Sequence, residues 1–348
     1  MKITTGNLGL ASYAFETSFH YLGFEMILPP LTNSLSQELG EQSLRAELCH
    51  PLKLLLGNFL ILKDEKPDIV IFYNGCDLCN LTPINNIYLE VFEKYSWFPK
   101  AYYMDITKRR YFLRDYYNNL KKITGASGPK ILKAIALGLN KLQLFQYLDD
   151  VFCMIRPTIK VFNIGESLYS KLFQEIVEAR GFSEYTRIKK DINELLKIYP
   201  PDHNCLHFGL TGDPFSLREP YSHQFTDRKL GYMGVIVDKF NNKLIKKKKC
   251  SKIEIKDFIK NNHGVFTANA IDRINNYTNK AYDGIVFISP FACTPNDSLR
   301  NQLSTIQEKT EMPMLSLIFD SHTCSIGLQS RLEAFVDMVH RRRNIHSK

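Results

Sequence analysis

The stretch DIVIFYNGCDLCN, residues 68–80, decides the fold class of this chain. Its first half, DIVIFY, is a run of β-branched and aromatic residues, which is typical of a buried strand in a parallel sheet. Its second half carries Cys76 and Cys79 with two residues between them. The stretch therefore predicts one strand of an α/β domain, with both cysteines in the turn that follows the strand.

Further short apolar runs alternate with helical patterns in two regions, which predicts two parallel sheets. The other strand-like runs are KITT (2–5), FEMILPP (24–30), KAYYMDI (100–106), LHFGLTG (206–212), YMGVIVDKF (232–240), DGIVFISPF (283–291) and MLSLIFD (314–320). The helical patterns that belong to these two regions are 11–22, 51–62, 222–231, 266–281, 297–310 and 327–342. Pro51 suits the first turn of its helix, where a missing N–H costs little.

The segment between the two regions has few strand signals and is mostly helical in pattern. It contains amphipathic stretches such as SKLFQEIVEARGF, and it ends near Pro200 and Pro201. The expected organisation is a first α/β domain at 1–106, a helical connecting segment at 107–203, and a second α/β domain at 204–348.

The composition is that of a soluble globular protein, with 44% hydrophobic and 23% charged residues among 348. No apolar run approaches the roughly 20 residues that span a bilayer, and the amino terminus lacks the apolar core of a signal peptide. A cytoplasmic location is expected. Cysteines in that compartment are free thiols, metal ligands or catalysts in preference to structural disulfides.

The net charge of +9 suits a polyanionic or phosphorylated ligand. Much of the excess lies in NKLIKKKKCSK (242–252), expected to be a solvated loop or element end, and in HRRRNIHSK (340–348), expected to be a frayed terminus. No groove-reading motif accompanies the charge, which argues against nucleic-acid binding.

Four of the eight cysteines fall in connections at the carboxyl ends of strands or the amino ends of helices: Cys49, Cys76, Cys79 and Cys293. Ligands bind at that edge of open α/β sheets, and helix amino ends lower the pKa of a thiol. The helix after Cys293 is expected to be capped by Asn296 or Asp297. Cys153 fits the apolar face of a helix, whereas Cys324 follows a strand and is an ambiguous fifth candidate.

The spacing of Cys76 and Cys79 alone leaves four interpretations open. They are a redox pair, a structural zinc site that also uses Cys49 and His50, two buried thiols without a ligand, and an iron–sulfur cluster held by thiolates from separate loops. Zinc and cluster sites use the same ligand types, so spacing alone does not separate them.

Longer motifs resemble the 2-hydroxyacyl-CoA dehydratase and benzoyl-CoA reductase superfamily, in particular the branch of acyl-CoA dehydratase activase-related proteins. Double-cubane cluster proteins are more distant relatives of that branch. The motifs that carry the resemblance are GNLGLASYAFETSFHYLGFEMILPP, AELCHPLKLLLGNF, NGCDLCN, GLTGDPFSLREPYSHQF, DGIVFISPFACTPN and DSHTCSIGLQSRLEAFVDM. They cover nearly the whole chain.

The resemblance implies two flavodoxin-like or Rossmann-like domains with a [4Fe-4S] or larger iron–sulfur cluster near their junction. The implied ligands are Cys49, Cys76, Cys79 and Cys293. The implied partner is an actin-like ATPase, the activase, which carries its own cluster and uses ATP to drive a low-potential electron onto the acceptor. An acyl-CoA-like substrate is implied for relatives that have three protein cysteines per cluster. Four protein ligands leave no iron of the cluster open to a substrate, which favours electron transfer over substrate binding.

Four further residues are candidates for contacts around such a cluster: Lys53, Asn58, Glu219 and Asp320. Lys53 lies one helical turn after Cys49, and Glu219 belongs to an EPYSH stretch that is expected to shape a loop. TGNLGLAS lacks the third glycine of a dinucleotide-binding motif, so no ATP site is expected on this chain. A zinc-stabilised or metal-free scaffold protein remains the alternative, and a homodimer is an alternative to a chain that works alone.

Overall fold

The computed structural model of the chain describes residues 1–7, 9–75, 79–202, 204–239, 265–280 and 282–346. It confirms the predicted α/β class, because eight strands form two four-stranded parallel sheets. The strands are β1 (Lys2–Thr4), β2 (Glu25–Met26), β3 (Ile69–Asn74), β4 (Lys100–Asp105), β5 (Leu206–Gly212), β6 (Val235–Asp238), β7 (Gly284–Pro290) and β8 (Met314–Phe319). The lysine-rich run 242–252, which includes Cys250, lies outside the described residues.

Both sheets have the same strand order. The first runs β2-β1-β3-β4 and the second runs β6-β5-β7-β8. In each sheet the chain starts at an inner strand, moves to one edge, and then crosses back to the other side of the starting strand. The point of reversal lies between β1 and β3 in the first sheet, and between β5 and β7 in the second. Ligand crevices of open α/β sheets form outside the carboxyl ends of the strands at such points.

The two strands that follow these crossings have nearly continuous apolar sequences. All of β7 is buried, and so is β3 up to Tyr73. Strands covered on both faces by helices have this composition, whereas a strand with one solvated face alternates apolar and polar residues. β4 lies at the edge of its sheet and is only partly buried. β2 is shorter than the predicted 24–30, since it ends before Pro29 and Pro30, which cannot donate to a sheet ladder.

Helices surround the sheets and occupy most of the segment between them. They are α1 (Leu10–Tyr21), α2 (Ser34–Ser43), α3 (His50–Leu60), α4 (Ile84–Lys94), α5 (Arg109–Thr124), α6 (Gly128–Ile159), α7 (Phe162–Glu178), α8 (Phe182–Ile198), α9 (Thr226–Tyr232), α10 (Val265–Asn279), α11 (Thr294–Arg300), α12 (Leu303–Thr310) and α13 (Ser325–His346). The prediction of a frayed terminus from 340 onwards is wrong for residues 340–346, because α13 continues through them.

The chain divides into two compact units. The first contains Met1–Gln146 and Ile176–Arg187, and the second contains Tyr147–Glu175 and Ile188–Lys348. The chain passes from one unit to the other three times, each time inside a helix: within α6, α7 and α8. The helical stretch between the two sheets is therefore divided between the units.

None of the helices in the described part of the chain combines the length and the apolar character that crossing a membrane requires.

Helices α2 and α3 of the first unit pack at very close range through two glycines. A Cβ atom added to Gly57 of α3 would lie 1.6 Å from the carbonyl oxygen of Ser36, and one added to Gly40 of α2 would lie 1.9 Å from that of Lys53. Backbone therefore touches backbone along this contact. The fixed position of α3 matters for the site, since α3 begins immediately after Cys49.

Lys141 of α6 is a fully buried lysine in the first unit. Its Nζ donates to the carbonyl oxygen of Val177 at 2.8 Å, and the nearest charges are Glu16, Arg180 and Glu184. Glu16 and Arg180 already form an ion pair with each other at 2.8 Å. Burial lowers the pKa of the Lys141 ammonium to about 8.

This pKa predicts a pH dependence of stability with a definite sign. Between pH 8 and the ordinary value of 10.5, the unfolded chain keeps a proton on Lys141 that the folded chain has released. The free energy of unfolding should therefore rise with pH across this interval, by up to about 3 kcal/mol. The Lys141→Met variant should lose this rise, whereas Lys133→Met, at an exposed position of α6, should keep it. Urea unfolding at pH 7.5 and pH 10 measures both, and equal slopes in the two variants would contradict the prediction.

The second unit contains a buried network of charges between α6, α9 and the end of β6. Lys239 is 3% exposed, and its Nζ lies 2.7 Å from carboxylate oxygens of both Asp149 and Asp227. Burial alone would lower the pKa of Lys239, but the two carboxylates outweigh it and hold the pKa well above its usual value. Buried charges persist when each has a partner of opposite sign, so this network fixes α6 against the second sheet.

Candidate functional site

Cys49 is the residue immediately before α3 and occupies its N-cap position. Its backbone is extended, Pro51 follows in the first turn, and no side chain caps the helix. The first N–H groups of a helix carry partial positive charge and have no partner within the helix. They favour the ionised form of a thiol placed beside them. Cys49 is half-buried and lies at the amino end of a helix, as the sequence predicts.

Cys79 lies in the connection between β3 and α4. The Gly75 N–H donates to Thr82 Oγ1 at 3.0 Å, which joins the residue after β3 to the residues just before α4. A Cβ atom on Gly75 would lie 3.3 Å from the Cys79 sulfur, so Cys79 lies close to the carboxyl end of β3. Cys76 lies outside the described residues, and its role as a ligand stays a prediction.

Tyr88 of α4 packs against the first turn of α3, which Cys49 precedes. Its ring is fully buried, and its hydroxyl donates to the Leu52 carbonyl oxygen in the first turn of α3 at 2.6 Å. Burial raises the pKa of Tyr88 well above its usual value, and the nearby charges of Cys49 and Cys79 raise it further. Both thiols therefore lie within electrostatic range of one buried hydroxyl. Two of the predicted ligands, 30 residues apart in the sequence, are brought to the same corner of the first unit.

Cys293 lies in the corresponding connection of the second unit, after β7 and before α11. It is the N-cap residue of α11, so the prediction that Asn296 or Asp297 caps this helix is wrong. Asn296 instead donates its amide Nδ2–H to the Cys293 sulfur at 3.4 Å. Ala292 has a left-handed backbone with φ of 59°, a conformation that costs energy outside glycine and is concentrated at functional sites. The Cys293 sulfur is buried and accepts a hydrogen bond, as a thiolate ligand does.

Within each unit, these thiols are of the kind that hold an iron–sulfur cluster or another thiolate-bound metal group. Cys49 and Cys293 occupy helix amino ends, Cys79 lies next to Gly75 at the carboxyl end of β3, and Asn296 donates to the Cys293 sulfur. Among the residues that the structure describes, which do not include Cys76, no three histidine, cysteine or acidic side chains are grouped as a metal site. Cys293 belongs to the second unit and Cys49 and Cys79 to the first.

The other described cysteines differ in their surroundings. Cys153 is packed in the core of the second unit, where burial raises its pKa to about 12, which confirms its interpretation as a core residue. Cys205 is half-buried next to β5, and burial raises its pKa as well. Cys324 is exposed before α13, and the backbone N–H groups of Gly327 and Ile326 lower its pKa. Cys324 is thus an accessible thiol with a lowered pKa.

The four further candidates have local partners. Lys53 Nζ donates to the Ala46 carbonyl oxygen at 3.0 Å. Glu219 accepts a hydrogen bond from the Tyr221 N–H and so caps a short 3-10 helix, which agrees with a loop-shaping role. Asp320 accepts from the His322 N–H and the Thr323 hydroxyl in the turn after β8. Asn58 is almost completely buried and donates to Thr32 Oγ1 at 2.9 Å.

Tyr88 and Asn296 are site residues that sequence reasoning did not assign to the sulfurs. Asn296 lies three positions after Cys293, and a side-chain donor at this spacing reaches the N-cap residue, so that signal was present. Tyr88 gave no comparable signal, because tyrosines in an amphipathic helix are usually packing residues.

No family model matches the chain, and none of the curated proteins matches it in sequence.

Proposed function

We propose that this chain is an iron–sulfur protein that accepts or relays low-potential electrons. The electron donor would be an ATP-hydrolysing activase partner with its own cluster, and an acyl-CoA-like molecule is the proposed final acceptor. The observation that carries the proposal is the placement of Cys49 at the amino end of α3 and of Cys79 next to Gly75 at the carboxyl end of β3, both in the first unit. Nothing in the packing of a core requires thiols at these two positions.

Cys49, Cys76, Cys79 and Cys293 would hold the group. A bound cluster would supply a one-electron acceptor whose potential depends on its surroundings and on hydrogen bonds to its sulfurs. The protein's own contribution would be positive electrostatic potential from the amino ends of α3 and α11, together with the Asn296 amide. Each of these stabilises negative charge on sulfur.

Metal content after anaerobic purification tests this proposal. We expect a brown protein with about four iron and four sulfide per chain, as a [4Fe-4S] cluster requires, and an EPR signal after chemical reduction. The Cys79→Ser and Cys293→Ser variants should each lose at least about half of the iron, because a missing thiolate exposes one corner of the cluster. Cys205→Ser, which removes a half-buried thiol at no predicted ligand position, should keep all of it.

The same measurement decides against the proposal in two ways. A colourless chain without iron, folded as judged by circular dichroism, would remove the electron-transfer function. If the chain instead contains stoichiometric zinc and the Cys79→Ser variant loses that zinc, the protein is the zinc-stabilised scaffold and the electron-transfer function falls. If iron is present, addition of the ATPase partner with ATP should produce the reduced EPR signal under conditions in which the partner without ATP does not.

A further inference from the structure

The first turns of α5 in the first unit carry a dense group of basic side chains. The run KRRYFLR, residues 108–114, contains four basic residues and no acidic one. Lys108, Arg110 and Arg114 are all exposed and lie around the ring of Tyr111. The Lys108 Nζ and the guanidinium carbons of Arg110 and Arg114 lie 5.7, 4.7 and 5.2 Å from the ring centroid. Three cations are therefore concentrated around one aromatic side chain.

Two carboxylates lie near this basic group, but both have partners within the chain. Asp105 Oδ1 accepts two hydrogen bonds in the turn before α5. Asp115 accepts a hydrogen bond from the Asp105 N–H at 3.0 Å and forms an ion pair with Arg114 at 2.8 Å. Within the described part of the chain, no ion pair involves Lys108 or Arg110. The group therefore keeps a net positive charge at the protein surface.

This arrangement opposes the stability of the helix that carries it. Arg110 and Arg114 are four residues apart, a spacing at which like charges on a helix repel each other. The amino end of a helix carries partial positive charge and favours acidic residues, yet the first turn of α5 contains none. Contact with Tyr111 offsets part of this repulsion. Local arrangements that oppose the fold are expected at functional sites, so the basic group points to a negatively charged partner.

The basic group lies at the carboxyl edge of the first sheet. Asn74 of β3 pairs with Asp105 of β4, and the Ile106 N–H donates to the Asn74 carbonyl oxygen at 3.2 Å. Lys108 follows two residues later, so the group lies at the same edge as the connection after β3, which carries Cys79. Ligands of open α/β sheets bind at this edge. A partner that contacts the basic group is therefore placed beside it.

The surroundings of Tyr111 favour a protein partner over a nucleic acid. Single-stranded nucleic acids stack their bases on exposed aromatic rings. The guanidinium groups of Arg110 and Arg114 already lie over the Tyr111 ring, and Arg110 also donates to the Tyr111 hydroxyl at 2.8 Å. Guanidinium groups present forked N–H donors that match the two oxygens of a carboxylate. The basic group therefore suits the side chains of aspartate and glutamate.

We propose that Lys108, Arg110, Arg114 and Tyr111 form a docking surface for an acidic region of a partner protein. Carboxylates of the partner pair with the ammonium and the two guanidinium groups, and this pairing relieves the repulsion among them. Tyr111 holds the guanidinium groups in place. The surface uses none of the cysteines and requires no bound metal, so it stands or falls separately from the electron-transfer proposal.

Binding of a fluorescently labelled hexaglutamate peptide to the full chain, measured by anisotropy at an ionic strength of about 0.1 M, tests this surface. The wild type should bind the peptide saturably, and the affinity should fall as salt is added. Lys108→Glu/Arg110→Glu reverses two charges of the surface and should weaken binding at least about tenfold.

The matched control is Lys121→Glu/Lys122→Glu, which makes the same charge change at exposed positions in the last turn of α5. These positions lie about 20 Å along the helix from Lys108, beyond the screening length of about 10 Å at this ionic strength. The control should therefore bind hexaglutamate almost like the wild type. Circular dichroism verifies that both double variants are folded.

Each remaining outcome decides against the surface. Absence of saturable binding to the wild type, or equal affinities of the two double variants, would overturn the proposal. If Lys108→Glu/Arg110→Glu does not fold, Arg110→Gln takes its place, and unchanged affinity there would also overturn it. A single-stranded oligonucleotide of the same charge that binds more tightly than hexaglutamate, and is lost in the same variant, would replace the acidic protein with a nucleic acid.

Discussion

The Lys239→Met variant should lose about 3–5 kcal/mol of unfolding free energy, which is the usual cost of removing one partner from a buried ion pair. Methionine fills nearly the same volume as the lysine stem, so the loss would be mainly electrostatic. Asp149 and Asp227 would keep their positions without the ammonium that lies 2.7 Å from each of them. Asp227 is 2% exposed and has no access to water as a substitute.

Urea unfolding at pH 7 measures this loss. The matched control is Lys197→Met, because Lys197 also lies 2.8 Å from a carboxylate, that of Glu194, but both side chains are exposed. Exposed pairs contribute about 0–1 kcal/mol, so this variant should unfold almost like the wild type. The double variant Lys239→Met/Asp227→Asn should recover part of the lost stability. A Lys239→Met loss below about 1 kcal/mol would show that the network does not hold the second unit together.

The Gly57→Ala variant should be destabilised by about 3 kcal/mol, the upper end of the usual cost of overpacking. The added methyl group would lie 1.6 Å from the Ser36 carbonyl oxygen, and this neighbour is backbone and cannot rotate away. Helices α2 and α3 would have to separate, and the start of α3 at Cys49 would move with them. Thermal unfolding measures the loss in stability, and metal content measures the effect on the cysteines.

Gly327→Ala is the matched control, since Gly327 is also helical and a Cβ atom there meets nothing within 4 Å. Alanine is the better helix former, so this variant should gain up to about 1 kcal/mol. If Gly57→Ala behaved like Gly327→Ala, the backbone contact between α2 and α3 would not be required for the fold.

The strands were predictable because fully buried parallel strands have an unusual composition. β5, β7 and β8 each lie within a predicted run, and β3 extends one residue past the run DIVIFY, to Asn74. The helices that follow the second set of strands begin and end near the predicted limits, apart from 297–310, where the structure has α11 and α12. The early start of α11 results from Pro295, which suits the first turn of a helix and moved its beginning to Thr294.

Helix α2 had no counterpart in the sequence prediction. Its sequence, SLSQELGEQS, lacks the apolar stripe on which helix prediction from a single sequence depends. It is held instead by glycine contacts with α3 and by a capping box between Asn33 and Ser36. The capping box is a local signal that could have been read, whereas the glycine contacts depend on a second helix and could not.

The site was predictable in its parts but not in its connections. The sequence pattern correctly placed Cys49 and Cys293 at helix amino ends and Cys79 in the connection after β3, whereas their role as ligands stays a prediction. Tyr88 bonds to Leu52, 36 residues away in the sequence. Lys239 lies 90 residues from Asp149, and Asn58 lies 26 residues from Thr32. Contacts of this kind arise from the topology of the sheets, which no local pattern of residues encodes.

The passage of the chain between its two units inside α6, α7 and α8 has a practical consequence for dissection of the protein. A gene fragment that stops at residue 146 would end in the middle of a 32-residue helix and would omit residues 176–187 of the same unit. Neither half can therefore be produced as one uninterrupted piece. A faithful fragment of the first unit needs residues 176–187 rejoined to it through an engineered connection, and proteases that attack exposed loops should not release the halves intact.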